Sequence, residues 1–140
     1  MPSLIRNDVA EACLRQLLEK EGYKLTIPKR SNGQTGVDII AENGSNRLYI
    51  EVIGFKSSPP KRSKDFYEVF FRAISRIKLG AKSCIIALPS EFSRGLPQRA
   101  KQYDIAWSRI GKAFPELQIW LVDVHTSSYR KTTWNEWLRE

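Results

Sequence analysis

Residues 36–53 read Gly36-Val37-Asp38-Ile39-Ile40-Ala41-Glu42-Asn43-Gly44-Ser45-Asn46-Arg47-Leu48-Tyr49-Ile50-Glu51-Val52-Ile53. Two apolar, β-branched runs, 37–42 and 47–53, flank Asn43-Gly44, the strongest short hairpin signal in the chain, because Asn and Gly accept the positive φ of a tight turn. Side chains alternate along a strand, so Asp38 and Glu42 share one face of the first run, and Arg47, Tyr49, Glu51 and Ile53 share one face of the second. If the loop spans 43–46, Glu42 pairs with Arg47 and Asp38 sits opposite Glu51. A shorter loop pairs Asp38 with Tyr49 and leaves Glu51 diagonal on the same face. Both registers bring two carboxylates together on interior strands.

Outward from the hairpin, the chain alternates helical and strand patterns. Before it, residues 7–21 carry Ala10, Cys13, Leu14, Leu17 and Leu18 at the spacing of one helix face, and Gly22 stops the run. Residues 23–28 are strand-like, and 29–35 form a polar loop. After it, Ser57-Ser58-Pro59-Pro60-Lys61-Arg62-Ser63 reads as a mobile basic loop, since paired prolines remove donors. A second helix follows over 64–79, with Phe66, Phe70, Ala73, Ile74 and Ile77 as its apolar stripe and Glu68, Arg72 and Arg76 on another face. Residues 83–88 and 117–124 read as buried strands and 96–114 as a third helix, with Pro97 tolerated in its first turn. Thr133 and Glu136 resemble a capping box that opens a short last helix. The expectation is a single α/β domain over 1–140, a mixed β-sheet flanked by helices in the order αβββαβαβα.

Composition narrows the function. The 140 residues suffice for one core without staples, and 41% hydrophobic with 27% charged residues is a globular composition. No apolar run approaches the roughly 18 residues that span a bilayer, and the first residues lack a signal-peptide stretch, so a cytoplasmic protein without a membrane partner is expected. Cys13 and Cys84 lie in apolar patterns and read as small core residues. Lys and Arg outnumber Asp and Glu by 23 to 15, a net charge of +8. The excess is concentrated in Lys56, Lys61, Arg62, Lys64, Arg72, Arg76, Lys78 and Lys82, against only Asp65 and Glu68 between them. A concentrated positive face attracts polyphosphate, so nucleic acid, DNA first, is the expected partner, with Lys61, Arg62, Lys64, Arg72 and Arg76 as its contacts. A solvated surface, or a protein partner with an acidic face, accounts for the same charge less specifically.

Two opposed carboxylates about 5 Å apart repel, and one divalent cation between them removes the conflict. Hard oxygen ligands favour Mg²⁺ or Mn²⁺, an ion that activates water for phosphodiester hydrolysis. Gly36-Val37-Asp38 followed by Ile50-Glu51-Val52-Ile53, behind a helix carrying Glu11, resembles the PD-(D/E)XK (restriction-endonuclease-like) nuclease superfamily over about residues 7–124. The resemblance implies a metal-dependent DNA endonuclease. Asp38 and Glu51 would hold the metal, the Val52 carbonyl would complete its shell and Glu11 would assist. Nucleases of this kind frequently act as dimers, so a homodimer is compatible. The chain departs from the pattern at Ile53, where the family places a lysine; Lys56, Arg72 or Arg76 would have to supply the cation. Without one of them the resemblance implies a nuclease-like fold that binds nucleic acid or regulates its processing without cutting. The bland readings are an Asp8–Glu11 capping box, a turn cap or ion pair for Asp38, and helix-surface pairing for Glu68, Arg72 and Arg76. The tryptophans read as core, and His125 has no catalytic partner in sequence.

Overall fold

In a computed structural model, which describes residues 5–26 and 38–138, the chain forms one six-stranded mixed sheet in sequential order. Strands β1 (Lys24–Thr26), β2 (Ile39–Asn43) and β3 (Asn46–Val52) are antiparallel neighbours. Strands β4 (Cys84–Pro89) and β5 (Leu117–Asp123) continue the sheet parallel to β3, and β6 (Ser128–Thr133) closes it antiparallel to β5. In the hairpin Glu42 faces Arg47, and Asn43 faces Asn46 around Gly44 at φ +63°. Of the two registers the sequence allows, this is the one that sets Asp38 across from Glu51.

Parallel neighbours need crossovers, and right-handed ones place their helices on one face. Helix α2 (Pro59–Ser75) joins β3 to β4, while α3 (Leu96–Tyr103) and α4 (Ile105–Ala113) join β4 to β5. Helix α1 (Asn7–Lys20) packs on β1, β3, β5 and β6 and covers the opposite face with Ala10, Leu14 and Leu18. Between the layers lie Ile39, Ile50, Ile85, Ile86, Leu88 and Ile119, all fully buried. On the α2 side the core is aromatic. Trp107 and Trp134 stack at 3.9 Å, and each indole N–H donates to the other residue's carbonyl, at 2.9 and 2.8 Å. Phe66 of α2 stacks on the same pair. Cys84 is buried, and its thiol is pushed up to about 11, first by burial and then by Glu116 and Glu51.

Four expectations need correction. Residues 59–63 are not a loop, because α2 starts at Pro59. Proline in the first helical turn lacks only an N–H that has no intrahelical partner, and its fixed φ suits a helix start. The expected third helix breaks at Asp104, φ 48°, into α3 and α4; its apolar periodicity carries no sign of a residue able to take positive φ. Strand β6 was absent from the expected order, since Ser-Tyr-Arg-Lys-Thr-Thr is an edge strand whose side chains are mostly exposed. The last element is a 3₁₀ turn over Asn135–Leu138, where the Glu136 carboxylate accepts the Thr133 N–H at 2.6 Å. The polar loop expected over 29–35 lies outside the described residues. No helix among those described is long and apolar enough to cross a membrane.

Candidate functional site: a buried carboxylate–arginine cluster beneath a basic cleft

Glu51 sits near the end of β3 with its side chain turned toward α2, and it is completely buried. Such a carboxylate is stable only with counter-charges and hydrogen bonds around it. The helix supplies both. Arg72 Nη2 donates to Glu51 Oε1 at 2.8 Å and to Asp38 Oδ2 at 3.0 Å, so one guanidinium nitrogen bridges the two acids. One turn later, in the 3₁₀ extension of α2, Arg76 Nε donates to Glu51 Oε2 at 3.1 Å. Asp38 Oδ2 also accepts the Val52 N–H at 2.8 Å, which fixes the carboxylate to the neighbouring strand. Burial, then the adjacent Asp38 charge, push the Glu51 carboxyl above its ordinary value, and Arg76 and Arg72 partly offset both.

The sequence expectation that Asp38 and Glu51 converge is met in position. The expected occupant of the space between them is not what the geometry favours. Both Glu51 oxygens accept from guanidinium groups, and Arg72 Nη2 lies between the two acids, where a divalent ion would have to sit. Two carboxylates and two guanidiniums already balance in charge. Among the described residues no three His, Cys, Asp or Glu side chains gather in a metal-holding group. As arranged, the Arg72 guanidinium stands between Asp38 and Glu51, the position expected for Mg²⁺ or Mn²⁺.

The other expected residues divide. Glu11 is paired with Arg15 Nε at 2.9 Å, and Arg15 Nη2 donates to the Asp38 carbonyl at 2.6 Å, so Glu11 supports the site through Arg15. No Asp8–Glu11 capping box forms; Arg6 is the N-cap without a side-chain cap bond, and Asp8 pairs with Arg6. Lys56, expected as a candidate cation at the acids, is instead paired with Asp65 at 2.9 Å. A Cβ at Gly54 would stand 2.1 Å from the Ile5 carbonyl oxygen, so glycine is what lets the segment before α1 cross the end of β3. Arg72 and Arg76, expected either as nucleic-acid contacts or as the cation that replaces the absent lysine, both turn toward the acids. Their four-residue spacing aligns them on one helix face, which happens to be the face above Glu51.

Above the cluster opens a cleft of about 450 Å³, floored by Ile53 and Arg72 and walled by Lys56, Lys61, Lys64, Asp65 and Glu68. Lys61 and Lys64 are exposed at its rim. Arg62, one residue away on the helix, points elsewhere and lies 4.5 Å over the Phe55 ring. Arg15 went unnoticed in sequence, because an arginine on an otherwise ordinary amphipathic helix carries no mark of its partner. These features define a class: an α/β domain whose inter-strand acid pair is neutralised from a crossover helix beneath a cationic cleft. No protein-family model, curated protein or solved structure matches the chain.

Proposed function

We propose that the chain binds nucleic acid, DNA in the first instance, along its sugar–phosphate backbone at the Lys56–Lys61–Lys64–Arg72 cleft, and does not itself cut it. The observation that carries this reading is the position of Arg72 Nη2, which fills the space between Asp38 and Glu51 while the same side chain floors the cationic cleft. The acid pair then acts as an anchor. It holds one guanidinium at the bottom of the cleft in a fixed orientation, so less side-chain freedom is lost when a phosphate arrives. Lys61 and Lys64 contribute exposed, mobile charge at the rim, which steers approach and sets salt dependence. Contacts of this kind position a strand without reading its sequence. The buried Ile53 supports the non-cutting form, since it places an apolar group where the resembling nucleases carry their lysine.

Fluorescence anisotropy with labelled duplex DNA across a salt series tests the proposal. Binding is expected to weaken linearly in log–log form. Lys61→Ala/Lys64→Ala should reduce the slope by about 1.8, at roughly 0.9 per lost phosphate contact. The same protein with Mn²⁺ and plasmid or branched DNA should leave the substrate intact. Metal-dependent cleavage that disappears in Asp38→Ala would overturn the non-cutting reading, and absence of salt-sensitive binding would overturn the whole.

A further inference from the structure

On the other side of the first turns of α2 lies a second cavity, of about 280 Å³, where the carboxyl ends of β3 and β4 meet the starts of α2 and α3. Three arginines line it: Arg62, Arg94 and Arg99. Elsewhere in the fold Arg15, Arg47, Arg72 and Arg76 each have a carboxylate within ion-pair distance. None of these three does, among the described residues. The single acid on the wall, Glu91, approaches His125 instead, at 3.5 Å. Like charges gathered without a counter-ion repel, so the arrangement is one that an incoming anion stabilises.

Two of the guanidiniums are held in place by groups other than acids. Arg62 lies 4.5 Å over the Phe55 ring, which is itself braced edge-to-face by Phe92 at 5.1 Å. Arg99 lies 4.9 Å over Phe66 and 5.4 Å over Tyr67, and donates to Tyr67 Oη at 3.0 Å and Ser63 Oγ at 3.3 Å. Stacking orients a guanidinium plane and leaves its charge uncancelled. The helix starts add positive field but few donors, because Pro59, Pro60 and Pro97 occupy first-turn positions.

From this geometry we infer a binding site for a phosphomonoester, built from Arg62, Arg94 and Arg99 over the Phe55–Phe92 floor. Three arginines against Glu91 leave a net charge of +2. A phosphomonoester carries about −1.5 to −2 at neutral pH and three acceptor oxygens, whereas a carboxylate brings one charge and would leave one arginine unmatched. The cavity is slightly under the roughly 300–1,000 Å³ of drug-sized sites, a size suited to a phosphoryl group and its sugar. The group can arrive as the terminal phosphate of a strand whose backbone lies in the neighbouring cleft, which rests on the nucleic-acid reading above, or as a free nucleoside monophosphate.

The test compares one oligonucleotide with 5′-phosphate, 3′-phosphate or hydroxyl ends, alongside AMP and inorganic phosphate, using anisotropy for the strands and amide NMR shifts for the small ligands. A terminal phosphate should tighten strand binding at least tenfold, and Arg62→Gln/Arg94→Gln should abolish that ratio while leaving the hydroxyl-ended strand bound. Lys61→Ala/Lys64→Ala should weaken all strands and keep the ratio. If no strand binds but AMP or phosphate shifts amides around Ser63 and Gly95, the cavity stands and the nucleic-acid reading falls. Strands that bind without distinguishing their ends, together with no ligand-dependent shifts at the cavity, refute this site and leave the cleft intact.

Discussion

If Arg72 is the cation that makes the acid pair tolerable, Arg72→Ala should be destabilising in a way that a divalent metal repairs. Breaking a buried ion pair by removing one partner costs roughly 3–5 kcal/mol. Two features lower that here. The Arg72 side chain is 28% exposed, so solvent screens part of its charge, and its Nε makes no hydrogen bond among the described residues, so its desolvation is not fully compensated in the native protein. We expect a loss of about 2–3 kcal/mol. With an unfolding entropy of roughly 2.1 cal/mol/K per residue, a chain of this length loses about 7–10 °C in Tm. Glu51 then keeps Arg76 as a guanidinium partner, and one positive charge is lost from between the strands. A site with a Kd on the order of 1 mM, given 10 mM Mn²⁺, regains about 1.4 kcal/mol, or roughly 5 °C. The assay is thermal unfolding of wild type and Arg72→Ala in Mn²⁺ and in EDTA, with Arg72→Ala/Glu51→Gln as the control that should lose the rescue. Equal stability of wild type and variant, or an equal Mn²⁺ response in both, refutes the assignment of Arg72 as the resident cation.

Two further outcomes follow from the same geometry. Because the Glu51 carboxyl titrates above its ordinary value of 4.5, the native state holds more protons than the unfolded chain between that value and the raised one. Stability from this group is therefore greatest at low pH and falls as pH rises through the window; Glu51→Gln should flatten the fall in urea-derived ΔG from pH 4.5 upward, and an unchanged slope would contradict it. Trp134→Ala removes a stacked ring and the hydrogen bond to the Trp107 carbonyl, for an expected cost of roughly 3–5 kcal/mol in urea unfolding with loss of near-ultraviolet circular dichroism from the indole pair. A cost under about 1 kcal/mol would mean the stack is not a main support of the α2 face.

The parts of the fold that were legible in the sequence are those fixed by short-range pattern. Asn43-Gly44 set the hairpin and its two allowed registers, and uniformly apolar stretches such as Cys84–Pro89 announced interior strands. Strand β6 escaped because an edge strand needs little burial, and its polar side chains follow no alternation to detect. Asp104 escaped for a different reason: positive φ at a single aspartate depends on what the helices on either side pack against. At the site, the convergence of Asp38 and Glu51 followed from alternation alone. The direction in which Arg72 and Arg76 point did not, because sequence defines which residues share a helix face and leaves open whether that face meets solvent or an acid on the sheet.

That last distinction bears on why the acids remain paired at all. Positions 51 and 53 alternate onto one side of the chain, where a lysine or arginine one residue past β3 could have reached Glu51. Ile53 is instead a buried apolar residue, and a fully buried glutamate beside it needs its counter-charge from another element. Helix α2 is the element placed to provide it, since the β3–β4 crossover lays it over the strand end. Arg72 and Arg76, one turn apart, reach the two oxygens of one carboxylate from the same face. Neutralising Glu51 from the helix has a consequence for the surface. It fixes α2 against the sheet, and with it the orientation of Lys61 and Lys64 on one side of the helix and Arg62 on the other, so the two basic-lined hollows that flank α2 are set by a charge cluster that neither hollow contains in full.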